Sequence, residues 1–299
     1  MYEQLEKNVR RTWLLMAGFV LVVLAAGYGF GAIFDFGVGG LIAASIFSVV
    51  MTWVSYRNGD KIVLRMSRAR EVSPEDEPRL HNLVEGLSIA AGLPKPRLYI
   101  VEDQAPNAFA TGRDPAHASV AVTRGLLEKL NRIELEGVLA HELAHVGNRD
   151  TLVMAIVATL VGVVVLLADW SLRGMLWGGG RRRGGGGNAG GGAFAILGLV
   201  GLVLMPLVAR IMQMAVSRRR EFYADVRGVQ LTRYPPGLIS ALEKLKADET
   251  IVKTAGRATG HLWIESPLPR GANFVGRLNR MFDTHPPLDE RLRVLRELL

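Results

Sequence analysis

Four long stretches of apolar residues without charge set the organisation of this chain. The first two, residues 13–34 and 36–56, are each about 20 residues long, which is enough for a helix to cross the core of a bilayer. The later two, residues 151–168 and 193–209, are close to the lower limit of about 17 residues. The pattern predicts a mainly α-helical, multi-span membrane protein whose four spans form two hairpins.

Apolar and polar residues are mixed between and after these stretches, which is typical of soluble structure. The chain therefore divides into four parts. These are a two-span hairpin at residues 1–56, a soluble part at 57–150, a second apolar hairpin with a Gly- and Arg-rich loop at 151–216, and a second soluble part at 217–299.

The first soluble part begins with a helix. Ser73 as its N-cap and Pro74 in its first turn predict a helix that ends at Gly92. A small β-sheet and two further helices are predicted after it, with strands at residues 97–101, 107–111 and 119–123.

The second soluble part reads as helical around one long irregular segment. Pro235 and Pro236 predict the start of a helix that runs toward Ala247, and a final helix is predicted after Pro287. Residues 254–284 are rich in Gly, Pro and Arg, and loops of that length are often functional.

The charge distribution predicts a membrane topology. Basic residues flank the first hairpin on both sides, whereas its turn contains Asp35 and no Lys or Arg. By the positive-inside rule both flanks lie in the cytosol, which predicts a multi-pass protein of the plasma (inner) membrane with its soluble domain in the cytosol. The flanking basic residues are Lys7, Arg10 and Arg11 before the hairpin, and Arg57, Lys61, Arg65, Arg68 and Arg70 after it.

The second hairpin does not follow this rule. Its loop carries Arg173 and three consecutive arginines at 181–183, which lie outside the cell if both later stretches span fully. A tilted or partly inserted hairpin is therefore the alternative to two full spans.

The net charge of +8 also raises the possibility of nucleic-acid binding. We do not expect it, because the basic residues cluster at the predicted membrane edges without interleaved aromatic residues. The chain has no cysteine, so disulfides and thiolate metal ligands are excluded.

The candidate chemistry lies at the end of the first soluble part, in the pattern His-Glu-x-x-His from His141 to His145. Histidines four residues apart on a helix point the same way and can hold one zinc ion. Glu142 is then placed to take a proton from water at the metal, as in metallopeptidases. The alternative is an amphipathic helix whose histidines and glutamate merely lie at a wet boundary.

A catalytic zinc needs a third protein ligand, and the residue six positions after His145 is Thr151, which excludes a third histidine there. A glutamate on a later helix is the other common solution. Glu221 is favoured, because Asp225 lies one turn further along and can orient a zinc-bound histidine. The alternative is an interfacial basic cluster with Glu221 as its charge partner. The candidate glutamates on later segments are Glu221, Glu243, Glu249, Glu265, Glu290 and Glu297.

Taken together, the motifs resemble those of the HtpX family of membrane zinc metallopeptidases, which is related to the peptidases that process prenylated CAAX proteins. The combination covers most of the chain. The matching segments are residues 107–112, 141–145, 219–225 and 284–287.

The resemblance implies a gluzincin-like zinc peptidase domain in the cytosol that acts on membrane proteins in quality control or stress response. It implies one Zn²⁺ per chain held by His141, His145 and Glu221, with Glu142 as the catalytic base. Asn107 and His285 are implied as contacts to the substrate or to the tetrahedral intermediate, and the substrate is expected to pair with an edge strand at 107–111.

Two other functions are compatible with parts of this pattern. A membrane-anchored adaptor with a structural zinc is one, although structural zinc usually has four protein ligands. An enzyme specific for prenylated chains is the other, and it needs a chamber enclosed by more than four spans.

Overall fold

The computed structural model describes residues 2–33, 38–162, 218–252, 259–265 and 286–299. Most of the predicted second hairpin, most of the segment 254–284, and His285 lie outside the described residues.

The described chain is mainly helical with a small mixed β-sheet, as the sequence predicts. The elements in order are α1 Tyr2–Ile33, α2 Val38–Met66, β1 Arg70–Glu71, α3 Pro78–Ala91, β2 Arg97–Val101, β3 Ala108–Thr111, a 3₁₀ turn at Pro115–His117, β4 Ser119–Thr123, α4 Arg124–Lys129, α5 Arg132–Gly147, α6 Asp150–Gly162, α7 Arg218–Thr232, α8 Pro235–Ala247, a 3₁₀ turn at Gly260–Leu262, and α9 Leu288–Arg296.

The N-terminal helices α1 and α2 pack against each other as a hairpin. Within the described residues α2 alone is long and apolar enough to cross a membrane, since it has 29 residues and contains an 18-residue stretch with a mean hydropathy of 1.8. Large apolar side chains on both helices are exposed, among them Trp13 (61%), Ile42 (56%) and Trp53 (62%). Such a surface is unusual for a soluble monomer and suits contact with lipid. The prediction of four spans stays a prediction.

The sheet has the strand order β1-β2-β4-β3, with β2 and β4 parallel and the other pairs antiparallel. Both of its faces are covered, because Leu98 and Ile100 pack into one apolar cluster and Tyr99 and Val101 into another. This double burial explains why the strand sequences are apolar throughout rather than alternating. The arrangement places β3 at an edge of the sheet.

The predicted start of the first soluble helix is wrong. Ser73 and Asp76 instead close a turn, in which each backbone N–H donates to the side chain of the other residue at 3.3 Å. Side chains of this kind satisfy backbone groups locally and so compete with a helix. The helix begins four residues later than predicted, with Glu77 at the N-cap and Pro78 as its first residue, and it ends as predicted at Gly92, which has a left-handed φ of 65°.

Helix α5 is anchored at its start and packed closely along its length. Asn131 and Glu134 form a reciprocal capping box. Although burial raises it, hydrogen bonds from Lys244 and Ser240 hold the pKa of the Glu134 carboxyl below its usual value. These contacts fix α8 against α5, which in turn positions the middle of α5.

The close approach of α5 and α8 predicts a stability effect at Gly137. A Cβ there would lie 2.8 Å from the backbone nitrogen of Leu238. We expect Gly137→Ala to lower the free energy of unfolding by about 1–3 kcal/mol, because the helices must move apart. Gly86 in α3 has open space around its Cα, so Gly86→Ala should raise stability by about 0.5–1 kcal/mol. Denaturant unfolding followed by circular dichroism measures both, and shifts of equal sign would contradict the packing argument.

Candidate metal centre

The two histidines of α5 and Glu221 of α7 meet in the interior. The exposed fractions of His141, His145 and Glu221 are 1%, 5% and 0%. The Nε2 atoms of the histidines lie 3.2 Å apart, and the carboxylate oxygens of Glu221 lie 3.8 Å from His141 Nε2 and 3.5 Å from His145 Nε2. The structure therefore brings together the three residues proposed as ligands from two distant segments.

A glycine makes this approach of the two helices possible. Gly228 lies on α7, and a Cβ at this position would be 3.0 Å from the backbone nitrogen of His141. Ala224, on the same helix, is completely buried. These two small residues let α7 lie directly against the backbone of α5, which brings Glu221 close enough for its carboxylate to reach the histidines.

Each histidine is oriented by a carboxylate. Asp225 Oδ1 lies 2.8 Å from His141 Nδ1, and Asp150 Oδ2 lies 3.2 Å from His145 Nδ1. A carboxylate at Nδ1 holds the proton there and leaves Nε2 as a lone-pair donor. Asp225 was predicted for this role. Asp150 was not, although it follows α5 directly.

The Nε2 lone pairs of His141 and His145 face each other at 3.2 Å, and this arrangement requires a positive charge between the two nitrogens. Although burial lowers it, the hydrogen bond to Asp150 and the charge of Glu221 raise the pKa of His145 to about 9. A metal ion meets the same demand. Ligand atoms bound tetrahedrally to zinc at 2.0–2.1 Å lie about 3.3–3.4 Å from one another, close to the separations found here. The donor set therefore fits zinc.

Glu142 lies beside the first histidine on α5 and is 2% exposed. Burial raises the pKa of its carboxyl, and the neighbouring histidines oppose this only in part. A buried carboxyl with a raised pKa next to a cation site suits proton transfer near neutral pH.

Arg291 of α9 joins the centre, and the sequence analysis missed it. Its side chain is completely buried, and its Nε and Nη2 donate to both oxygens of Asp225 at 2.9 and 2.6 Å. Its Nη1 lies 3.8 Å from Glu221. The sequence does contain a signal for a buried Arg291, since this residue lies on the same face of α9 as Leu288, Leu292 and Leu295. An arginine on an apolar helix face needs a buried carboxylate as partner.

The charges around the centre also favour a divalent cation. Four buried carboxylates, those of Glu142, Asp150, Glu221 and Asp225, face two guanidinium groups among the described residues. One is Arg291, and the other is Arg220, whose Nη1 lies 3.5 Å from Asp150. Four carboxylates against two guanidinium groups leave an excess of two negative charges among the described residues, and buried charge needs compensation. A single divalent cation supplies the two positive charges that are missing.

The Asn107 side chain forms hydrogen bonds within the protein and does not face an open surface. Its Nδ2 donates to the carbonyl of Glu265 at 2.9 Å, and the Ile264 N–H donates to the carbonyl of Ala108 at 2.9 Å. The segment at residues 259–265 thus lies along the edge of β3, and a substrate strand pairing at Ala108 would have to displace it. The roles implied for Asn107 and for His285, which lies outside the described residues, stay predictions.

Comparison with known proteins decides the family. The sequence profile of peptidase family M48 matches residues 74–299. The chain belongs to peptidase family M48. Among similar proteins, a Protease HtpX homolog of Thermoanaerobacter pseudethanolicus is 44% identical over 100% of this chain and 98% of its own length. Homologs from Tropheryma whipplei and Dictyoglomus thermophilum are 43% and 41% identical, and they align over 98% and 94% of their lengths.

These relatives confirm the resemblance to the HtpX family, and this M48 chain is a protease of that type whose substrates are polypeptides. A crystal structure of S. mikatae Ste24p aligns with 99% of this chain and 67% of its own, at 16% identity and a TM-score of 0.49. Likeness at that level carries no inference for this chain.

Proposed function

We propose that this M48 protease is a zinc-dependent endopeptidase whose single zinc ion is held by His141, His145 and Glu221. The observation that carries the proposal is the pair of Nε2 atoms at 3.2 Å, each oriented by a carboxylate at Nδ1 and both facing Glu221. Three protein ligands leave one position for water, which is the arrangement of catalytic rather than structural zinc.

The reaction then depends on residues of α5 and its neighbours. Zinc bound there supplies Lewis acidity, which lowers the pKa of water toward neutrality and polarises the peptide carbonyl. Glu142 accepts the proton of the attacking water and later delivers it to the leaving amine. Asp150 and Asp225 hold the histidines in the required tautomer, and Arg291 holds Asp225.

The support from Asp150 predicts an effect on metal affinity. We expect Asp150→Asn to weaken zinc binding by about 10–100-fold, because a neutral amide holds the Nδ1 proton of His145 more weakly than a carboxylate does. Competition with a chromophoric chelator measures the affinity. Asp248→Asn is the control, since this partly buried carboxylate pairs with Lys129 and is not one of the residues of the centre. Unchanged zinc affinity in Asp150→Asn would contradict the proposed role of Asp150 in orienting His145.

The adaptor with a structural zinc is separated from the peptidase by an activity assay. Full-length protein in detergent is stripped with a chelator, reloaded with zinc, and incubated with casein as an unfolded test substrate. The peptidase predicts that cleavage is lost on stripping and returns on reloading. If reloaded protein holds one zinc tightly and never cleaves, the adaptor is favoured. The prenyl-specific enzyme is disfavoured if casein, which carries no prenyl group, is cleaved.

We further propose that the protease acts on membrane proteins at the cytosolic face, in quality control or stress response. Residues 57–150 and 217–299 would together form the catalytic domain, carried by the membrane hairpins at 1–56 and 151–216. The exposed apolar face of α1 and α2 and the basic residues that flank it support this placement.

The membrane setting predicts a substrate preference. In liposomes, an unfolded segment tethered to a membrane helix should be cleaved faster than the same segment free in solution, because tethering raises its local concentration. Orientation is measured by protease protection of the two termini. Equal rates for tethered and free segments would contradict the preference.

A further inference from the structure

We propose that a cavity between the apolar hairpin and the sheet-containing domain binds the phosphodiester headgroup of an anionic membrane lipid. The cavity has a volume of about 420 Å³. Its walls come from α1, α2, the 3₁₀ turn at Pro115–His117, and the turn between α5 and α6. It therefore lies where the candidate membrane span meets the soluble domain.

Among the described residues that line the cavity, the charged groups leave one cation, Arg149, available for an anion. Arg113 and His117 both contact Asp114, at 3.3 and 2.7 Å, and the Arg113 Nη2 lies 2.7 Å from His117 Nε2. The single carboxylate of the wall is thus already compensated. Arg149 also lines the cavity, and its Nε has no hydrogen-bond partner among the described residues. A phosphate oxygen is the acceptor that a guanidinium binds best.

The backbone of the turn holds Arg149 in place, and within the described part of the chain its side chain forms no ion pair. Its backbone has a left-handed φ of 56°, and its N–H donates to the carbonyl of Val146 at 3.1 Å. Glycine or asparagine adopts this conformation at lower cost. Arg68 and Arg233 end other helices in the same conformation, and of the three Arg149 is the one that lines the cavity.

The other walls favour a lipid over a free phosphate ion. Trp13 and Tyr56 line the cavity and are 61% and 40% exposed. Tryptophan and tyrosine are typical of the boundary between membrane and water, where an apolar ring meets polar headgroups. Val9 and Leu152 add apolar surface beside them. A free phosphate gains nothing from these side chains, whereas the glycerol and first methylenes of a lipid do.

The test measures binding directly and does not depend on the proposed metal chemistry. Full-length protein in detergent is titrated with phosphatidylglycerol, and native mass spectrometry gives the apparent Kd of the first bound lipid. We expect Arg149→Gln to weaken this binding about tenfold, the size expected for a lost charge-assisted hydrogen bond. Arg233→Gln is the matched control, because Arg233 at the end of α7 shares the left-handed conformation but neither lines the cavity nor flanks the membrane hairpin. Its binding should stay unchanged.

Measurements with two other compounds identify the class of ligand. Phosphatidylcholine should bind more weakly than phosphatidylglycerol, and inorganic phosphate at equal concentration should not displace the lipid. If Arg149→Gln does not fold, Arg149→Lys and Trp13→Ala carry the test: both should weaken lipid binding, the lysine by about threefold because it lacks the planar fork. Equal losses in Arg233→Gln, equal binding of phosphatidylcholine, displacement by phosphate, or unchanged binding in the Arg149 and Trp13 variants would each overturn the proposal.

Discussion

Replacing Glu142 by glutamine is expected to lower kcat/KM for casein by about 10³-fold, within the range of general base catalysis. The amide keeps the size of the side chain but cannot accept the proton of the attacking water. Zinc affinity should change by less than about threefold, because Glu142 is not among the three residues whose atoms face one another in the centre. Initial rates with zinc-loaded protein and a chelator competition measure the two quantities.

The matched control for this variant lies on the same helix. Glu136 is partly exposed and lies outside the centre, so Glu136→Gln should leave both cleavage and zinc binding unchanged. If Glu142→Gln retains zinc-dependent cleavage at the original rate, its role as proton acceptor is wrong. If it loses zinc together with activity, Glu142 supports the metal rather than the reaction.

Replacing Arg291 by methionine is expected to lower the free energy of unfolding by about 3–5 kcal/mol, the usual cost of leaving a buried charge without its partner. Asp225 would lose both of its hydrogen bonds from the guanidinium, at 2.9 and 2.6 Å, in a completely buried position. For a domain of this size the melting temperature should fall by on the order of 10 °C. Thermal unfolding of the detergent-purified protein, followed by circular dichroism, measures the change.

Two further variants show whether burial and geometry carry this effect. Arg293 is two residues further along the same helix and 71% exposed, so Arg293→Met should shift the melting temperature by less than about 2 °C. Arg291→Lys keeps the charge but cannot donate from two nitrogens to both oxygens of Asp225, and should lie between Arg291→Met and the native protein. Equal shifts for Arg291→Met and Arg293→Met would contradict the argument.

Features encoded within a few residues could be predicted from the sequence. Helix α8 has the predicted bounds, because Pro235 fixes its first turn. Gly92 ends α3 as predicted, since a left-handed residue is needed there. The predicted start of α3 is wrong, and the reason is also local. Ser73 can cap a helix or close a turn with Asp76, and the pattern does not separate these two local solutions.

Features that depend on contacts between distant segments were harder to predict. The sequence favours Glu221 over five other glutamates because Asp225 follows it, and the structure places Glu221 against the histidines. Arg291 approaches Asp225 across 66 positions of the chain, and no local pattern indicates which carboxylate it meets. The parallel pairing of β2 with β4, which leaves β3 at the edge, is likewise set by packing on both faces of the sheet.

The most direct test of the metal centre is an anomalous difference map at the zinc absorption edge, recorded from crystals of the zinc-loaded full-length protein. The account predicts one peak per chain, about 2.0–2.2 Å from His141 Nε2, His145 Nε2 and a carboxylate oxygen of Glu221. One coordination position should not be filled by the protein. A peak bound by four protein ligands, or one away from the two histidines, would contradict the account.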